Sequence, residues 1–354
     1  MKDRKAVVRF GSRSAVRLTD LALLVRAPAA LSVPGDVIAG AAAAGRPLGA
    51  RTFGVIGSSV CLYWAGMALN DYADAAVDSV ERPDRPVPSG RVPRRTALGV
   101  AGALTVAGIG LAAAAGGRRS VGVALPLAGL VWAYDLKLKS TPLGGVAMAG
   151  ARVLDVLAGA VVPGAGAESV GGALRRAAVP AGLVGVHTGT LMALSRHEIG
   201  GAPVRVPGAT LAVSAATSLA TAVPVARDAV GSAAKGRSAS AAPSWLVAPR
   251  GGAAIRHSPA PLKGVVGTVT SKRLRAALTV GGALAYLGTY GSAQVRAVRE
   301  PSGENVRRAV GAGILGLLPL QAALTARGGA PGVAAALGVV HPLARRLARR
   351  ISPT

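Results

Sequence analysis

Apolar residues come in long blocks along this chain. Runs with little or no charge cover 21–45, 52–70, 96–116, 120–134, 143–163, 177–194, 209–226, 276–293 and 309–326. A membrane-crossing helix needs about 20 mostly apolar residues, with roughly 17–25 as the range. The blocks therefore predict about nine spanning helices. A shorter block, 330–343, fits a tenth span, a re-entrant piece or an interfacial helix. Between the seventh and eighth blocks, a Ser-, Ala- and Gly-rich stretch over about 227–273 reads as a flexible insertion. The pattern predicts one all-α domain over 1–354: a polytopic membrane bundle around a central cavity.

Composition strengthens the membrane reading. The chain is 51% hydrophobic and only 16% charged, against roughly 25% charged in ordinary soluble domains. Aromatics are 3%, too few for the aromatic girdles of a membrane β-barrel. Abundant Ala and Gly suit helices that approach closely in lipid. The net charge of +26 would suggest nucleic acid on a soluble protein. Here no nucleic-acid motif appears and the basic residues sit between apolar blocks, so the partner they imply is membrane lipid. Cys61 is the single cysteine, which excludes an intrachain disulfide and a zinc cluster. The first block holds Arg26 and lacks a clear cleavage site, so it does not read as a cleavable signal peptide.

Loop charge orients the bundle. With the N-terminus inside, inner loops carry 19 basic residues and short outer loops seven, the bias expected of an integral protein of the cytoplasmic membrane. The far end of the second span then faces the cytoplasm. The nine basic residues of 227–275 and the tail HPLARRLARRISPT run against this orientation; a tenth span would place the tail inside.

The second block ends in NDYADAAVDSVERPDRP, and five of the chain's 15 acidic residues fall within it. On one continuous helix Asp71, Asp74 and Asp78 share an arc of about 60°, and Asn70 widens it to about 100°. Carboxylates packed this way repel one another unless a hard cation sits among them. Mg²⁺ typically takes one or two carboxylates plus phosphate oxygens. The plainer alternative is a solvated helix end neutralised by Arg82 and Arg85.

NDYADAAVD resembles the N-D-x-x-D-x-x-x-D motif of the UbiA superfamily of intramembrane prenyltransferases, and RPDRPVPSGRV is similar to that family's following loop. RAPAALSVPGDVIAG resembles its first helix, and Tyr134 with Lys137 and Lys139 its Tyr-plus-basic segment. The resemblance implies Mg²⁺ held by Asp71, Asp74 and Asp78, a prenyl diphosphate donor, and a lipophilic or small-molecule acceptor of unknown identity. Asn70, Tyr134, Lys137 and Lys139 would contact substrate. The family's second Asp-rich motif is altered here: SRHEIGG offers only Glu198 as a further metal ligand, with Arg196 as a phosphate partner. Arg152 and Asp155, three apart in the fifth block, either neutralise each other or line the acceptor cavity. Asp36 and His187 either pack or touch substrate. VRRAVGAGILGLLPLQAALTARGG and the SRHEIGG segment resemble an actinobacterial, EboC-like branch. Two functions fit: a prenyltransferase, or a non-catalytic carrier for a prenylated or polyprenyl-phosphate lipid.

Overall fold

The computed structural model describes residues 16–26, 30, 32–164, 169–240 and 263–351. Within them the chain is helical, with turns between. The helices are α1 (Leu18–Leu24), α2 (Val33–Ala43), α3 (Ala50–Ala73), α4 (Ala75–Glu81), α5 (Arg94–Ala133), α6 (Gly144–Ala160), α7 (Val170–Ser195), α8 (Arg205–Ser240), α9 (Lys263–Tyr286), α10 (Ser292–Arg299), α11 (Gly303–Arg327) and α12 (Pro331–Ile351). Wider π turns follow α5 at Tyr134–Leu138 and α9 at Leu287–Gly291.

Among the described residues every apolar block contributes helix, but the blocks and helices are not one to one. Among the described residues five helices are long and apolar enough to cross a membrane: those over Ala50–Ala73, Arg94–Leu138, Val170–Ser195, Arg205–Gly231 and Gly303–Arg327. The first block is broken into α1 and α2, because a Pro at the start of α2 suits a helix beginning there and not a helix interior. The fifth yields α6, of 17 residues. The eighth is split by the second π turn. Much of the expected insertion is helix: α8 runs on to Ser240 and α9 starts at Lys263, while 241–262 lie outside the described residues.

The third and fourth blocks are continuous in α5, whose 40 residues would make a rod of about 60 Å, twice the hydrocarbon thickness of a bilayer. The rod folds back on itself. Gly117 has φ 58° and ψ −145°, a conformation open in practice only to glycine. The Trp132 indole N–H donates to Thr105 Oγ1 at 3.0 Å, and these residues lie at similar distances either side of Gly117. α5 is therefore a helical hairpin. Its second arm returns the chain to the end of α3 from which it came.

Small residues set the closest helix crossing. A Cβ on Gly40 of α2 would lie 1.7 Å from the Val156 carbonyl oxygen of α6, and one on Gly159 of α6 would lie 1.9 Å from the Val37 carbonyl oxygen of α2. The backbones touch reciprocally, the packing that small residues permit in lipid. A buried polar node locks the same region. Arg152 Nε is 2.8 Å from Asp36 Oδ2. Gln321 of α11 donates to Asp36 Oδ1 and to the Ser32 carbonyl, both at 2.7 Å. Arg152 thus pairs with Asp36, not with Asp155 as its spacing suggested: α2 presents a fully buried carboxylate across the crossing.

Candidate functional site

The acidic motif sits where α3 gives way to α4. The helix does not run straight through it. Asp74 caps α3 with φ −88° and ψ 6°, and α4 starts at Ala75. The i to i−4 bonds persist, from Asp74 N–H to the Asn70 carbonyl and from Asp78 N–H to the Asp74 carbonyl, both 2.8 Å. The break is a local bend that redirects the carboxylates, so the even arc of a continuous helix is not kept.

Each carboxylate meets a different set of cations. Asp71 and Asp78 are both 1% exposed, so their charges need partners. Arg85 Nη1 lies 2.5 Å from Asp78 Oδ2 and 3.6 Å from Asp71 Oδ1. One cationic nitrogen therefore sits between two buried carboxylates. Arg26 Nη2 reaches Asp71 at 3.0 Å, and Arg82 reaches Asp78 at 3.6 Å. Arg26 has φ 46°, a rare conformation for a residue with a Cβ. Asp74 turns the other way and receives Lys139 Nζ at 2.5 Å.

The first π turn supplies a residue that the motif search missed. Asp135 is 4% exposed, and its Oδ1 accepts from Asn70 Nδ2 at 3.4 Å. Its signal was present: it is the single acidic residue between Asp84 and Asp155. Tyr134 and Asp135 form the rim of a groove between α3, α5 and α6. Its walls are mainly apolar, including Leu62, Met67, Leu130, Val131 and Met148, and Arg152 and Asp155 lie along it. Asp155 Oδ1 is buried without a hydrogen-bond partner.

Among the described residues no three carboxylate, imidazole or thiolate side chains converge on one point. The donor set still suits a hard cation. Two carboxylates, Asp71 and Asp78, already flank one positive centre at Arg85 Nη1, and one or two carboxylates are what Mg²⁺ takes when phosphate completes its shell. The fit is to Asp71 and Asp78, with Asp74 engaged by Lys139.

The remaining candidates divide. Lys137 is exposed on the π turn. Arg196, also exposed, donates to the Thr141 and Pro142 carbonyls at 3.3 and 3.1 Å; it ties the α7 end to the α5–α6 loop. Glu198 is half-buried, and burial raises its carboxyl above the usual carboxylate range while nearby Arg307 and Arg82 pull it back. Arg82 is thus close to both Glu198 and Asp78. His187 is away from the groove. It is fully buried, its Nδ1 lies 3.1 Å from the Tyr286 hydroxyl, and its ring meets those of Tyr286 and Tyr290 edge-on. The aromatic residues Tyr286 of α9 and Tyr290 of the second π turn pack against it.

Residues 29–226, more than half of the chain, match the model of the UbiA prenyltransferase family. A digeranylgeranylglyceryl phosphate synthase from Methanopyrus kandleri is 42% identical over 116 residues, 33% of this chain and 41% of the relative. The match spans less than half the length of that relative. The fold is shared with a UbiA homolog from Aeropyrum pernix K1 (TM-score 0.52, 18% identity, 88% of this chain and 97% of the other). It is also shared with a UbiA homolog from Archaeoglobus fulgidus bound to GPP and Mg²⁺ (TM-score 0.50, 14% identity, 84% and 99%).

Proposed function

Because this chain belongs to the UbiA prenyltransferase family, we propose that it is a Mg²⁺-dependent intramembrane enzyme that transfers an isoprenyl group from a prenyl diphosphate to a small or lipid acceptor. The observation that carries this reading is the juxtaposition at the end of α3. Asp135 lines the apolar groove and accepts from Asn70, and the next residues of the motif, Asp71, Asp74 and Asp78, stand with Arg26, Arg85 and Lys139. A prenyl diphosphate has the matching two-part character.

Asp71 and Asp78, which here flank Arg85 Nη1, would hold the metal. Mg²⁺, when bound, supplies charge that offsets the departing diphosphate. Arg26, Arg85 and Lys139, the cations beside these carboxylates, would pair with phosphate oxygens. Asn70 and Tyr134 position the donor at the rim, and the groove walls keep water from its tail. The bond from the allylic carbon to the diphosphate oxygen breaks, and the acceptor's nucleophile forms the new bond to that carbon. Asp155 and Arg152 lie along the groove on the acceptor side. The relatives' product is a glyceryl phosphate carrying geranylgeranyl groups, so a polar-headed lipid acceptor is consistent with the family.

Nine crossings follow if both arms of α5, together with α2, α6 and α9, cross beside the long helices. The positive-inside bias then turns the acidic rim to the cytoplasm. One domain over 1–354, interrupted near 227–273, and the actinobacterial branch suggested by the segment over 306–329 belong to the same reading.

The changed second motif favours the carrier as the second reading. Arg196 is committed to loop carbonyls, and Glu198 is the sole carboxylate that SRHEIGG offers. Purified protein with Mg²⁺, labelled geranylgeranyl diphosphate and a host lipid extract separates the two. Labelled product with equimolar pyrophosphate supports the enzyme; tight donor binding without either product supports the carrier.

A further inference from the structure

A second charged cleft lies at the opposite end of the bundle from the acidic motif. Ala43 ends α2 next to the start of α3, and the helical rise from Ala50 to Asp71 puts that end about 32 Å from Asp71. Ala43, Arg176 of α7, Arg275 of α9 and Arg327 of α11 line a cleft there with about 600 Å³ of empty volume. Among the described residues no carboxylate lines it. Its remaining wall is apolar, made by Val179, Pro180 and Leu324 among others.

Two of the three guanidinium groups, those of Arg275 and Arg327, are held by carbonyls. Arg275 Nη2 donates to the Arg327 carbonyl at 2.5 Å, and Arg327 Nη1 donates to the Ala220 carbonyl at 2.6 Å. These bonds fix the positions of the side chains without cancelling their charge. Arg275 Nε is buried and has no hydrogen-bond acceptor. A neighbouring cleft shares Arg275 and adds Arg227 and Lys272, with Asp228 as its acidic member.

We propose that this cleft binds the phosphate of an anionic phospholipid, on the face of the bundle away from the prenyl diphosphate site. Guanidinium pairs are suited to phosphate. The apolar wall distinguishes a lipid from a free anion: Val179 is 48% exposed and provides a surface for the glycerol and the first acyl carbons. A soluble phosphate would use the arginines and leave that wall bare.

The test is native mass spectrometry of the full chain in detergent, with phosphatidylglycerol, diacylglycerol and inorganic phosphate as separate probes. Wild type should retain phosphatidylglycerol and not diacylglycerol. R275Q with R327Q should lower retention by roughly tenfold or more, the usual weight of a charge-assisted bond. V179E leaves both arginine–carbonyl bonds in place and adds a negative charge at the cleft; it should lower retention as well, which keeps the test decisive if the double variant folds poorly. R275K with R327K, which keeps the charge, should restore part of the retention. Unchanged retention in V179E and in the folded double variant overturns the site. Millimolar phosphate displacing the lipid completely overturns the lipid as its occupant.

Discussion

Replacing Asp36 with alanine should destabilise the protein more than almost any other single change. Asp36 is fully buried and lies 2.8 Å from Arg152, itself 7% exposed. Removing one member of a buried ion pair leaves an uncompensated charge, at a cost of about 3–5 kcal/mol. Gln321 Nε2 would keep its bond to the Ser32 carbonyl, and Arg152 Nη2 its bond to the same carbonyl at 3.2 Å. Neither replaces a carboxylate. At about 2 °C per kcal/mol, the low end for large domains, the apparent Tm in detergent should fall by roughly 6–10 °C. Thermal shift followed by size-exclusion chromatography measures this. Replacing both charges, as D36L with R152M, should recover much of the loss, because two apolar side chains leave no stranded charge. An Asp36→Ala protein melting within 2 °C of wild type, or a double variant no better than the singles combined, would refute the claim that the pair is the lock between α2, α6 and α11.

Asp71→Asn and Asp78→Asn should each abolish Mg²⁺-dependent binding of geranylgeranyl diphosphate, read by equilibrium dialysis with and without chelator; retained binding in both would move the metal elsewhere. Asp135→Asn keeps the shape of the groove rim and removes one charge beside Asn70, and should change donor turnover at least tenfold while leaving Tm within about 2 °C; equal turnover would make Asp135 a bystander. Gly159→Leu drives a side chain into the Val37 carbonyl and should prevent recovery of folded protein, whereas Gly171→Leu, with open space around it, should not. Glu198 has a raised carboxyl pKa in the fold, so its contribution to stability is present below the ordinary carboxylate value of about 4.3 and lost as pH rises through the raised value. Glu198→Gln should remove that dependence from a Tm-against-pH curve, and an unchanged curve would count against it.

The sequence is most readable where a single local pattern decides the outcome. NDYADAAVDSVERPDRP marks the acidic rim because five acidic residues after an apolar block have few structural explanations. The apolar blocks all become helix for the same reason. The bend at Asp74 was not legible, since the residues on either side continue helical hydrogen bonding and only packing turns Asp74 toward Lys139. The Arg152 pairing was missed because i to i+3 spacing names a neighbour on the same helix, while Asp36 comes from a helix 116 positions earlier. Likewise Arg26 stands 45 positions from Asp71, too far for any local rule. Asp135 could have been found by asking why an acidic residue interrupts a basic segment.

The hairpin in α5 makes chain length a functional variable. Two arms connect Arg94, just past the acidic loop, to Asp135, whose side chain must meet Asn70. Each residue added to or removed from an arm rotates everything beyond it by about 100° and shifts it 1.5 Å. A one-residue deletion in the second arm, among alanines and leucines that carry no chemistry, would therefore swing Asp135 and Tyr134 off the groove as surely as mutating them. The Ala- and Gly-rich arms can drift in composition with little effect, but their residue count acts as a ruler that sets the phase of the rim.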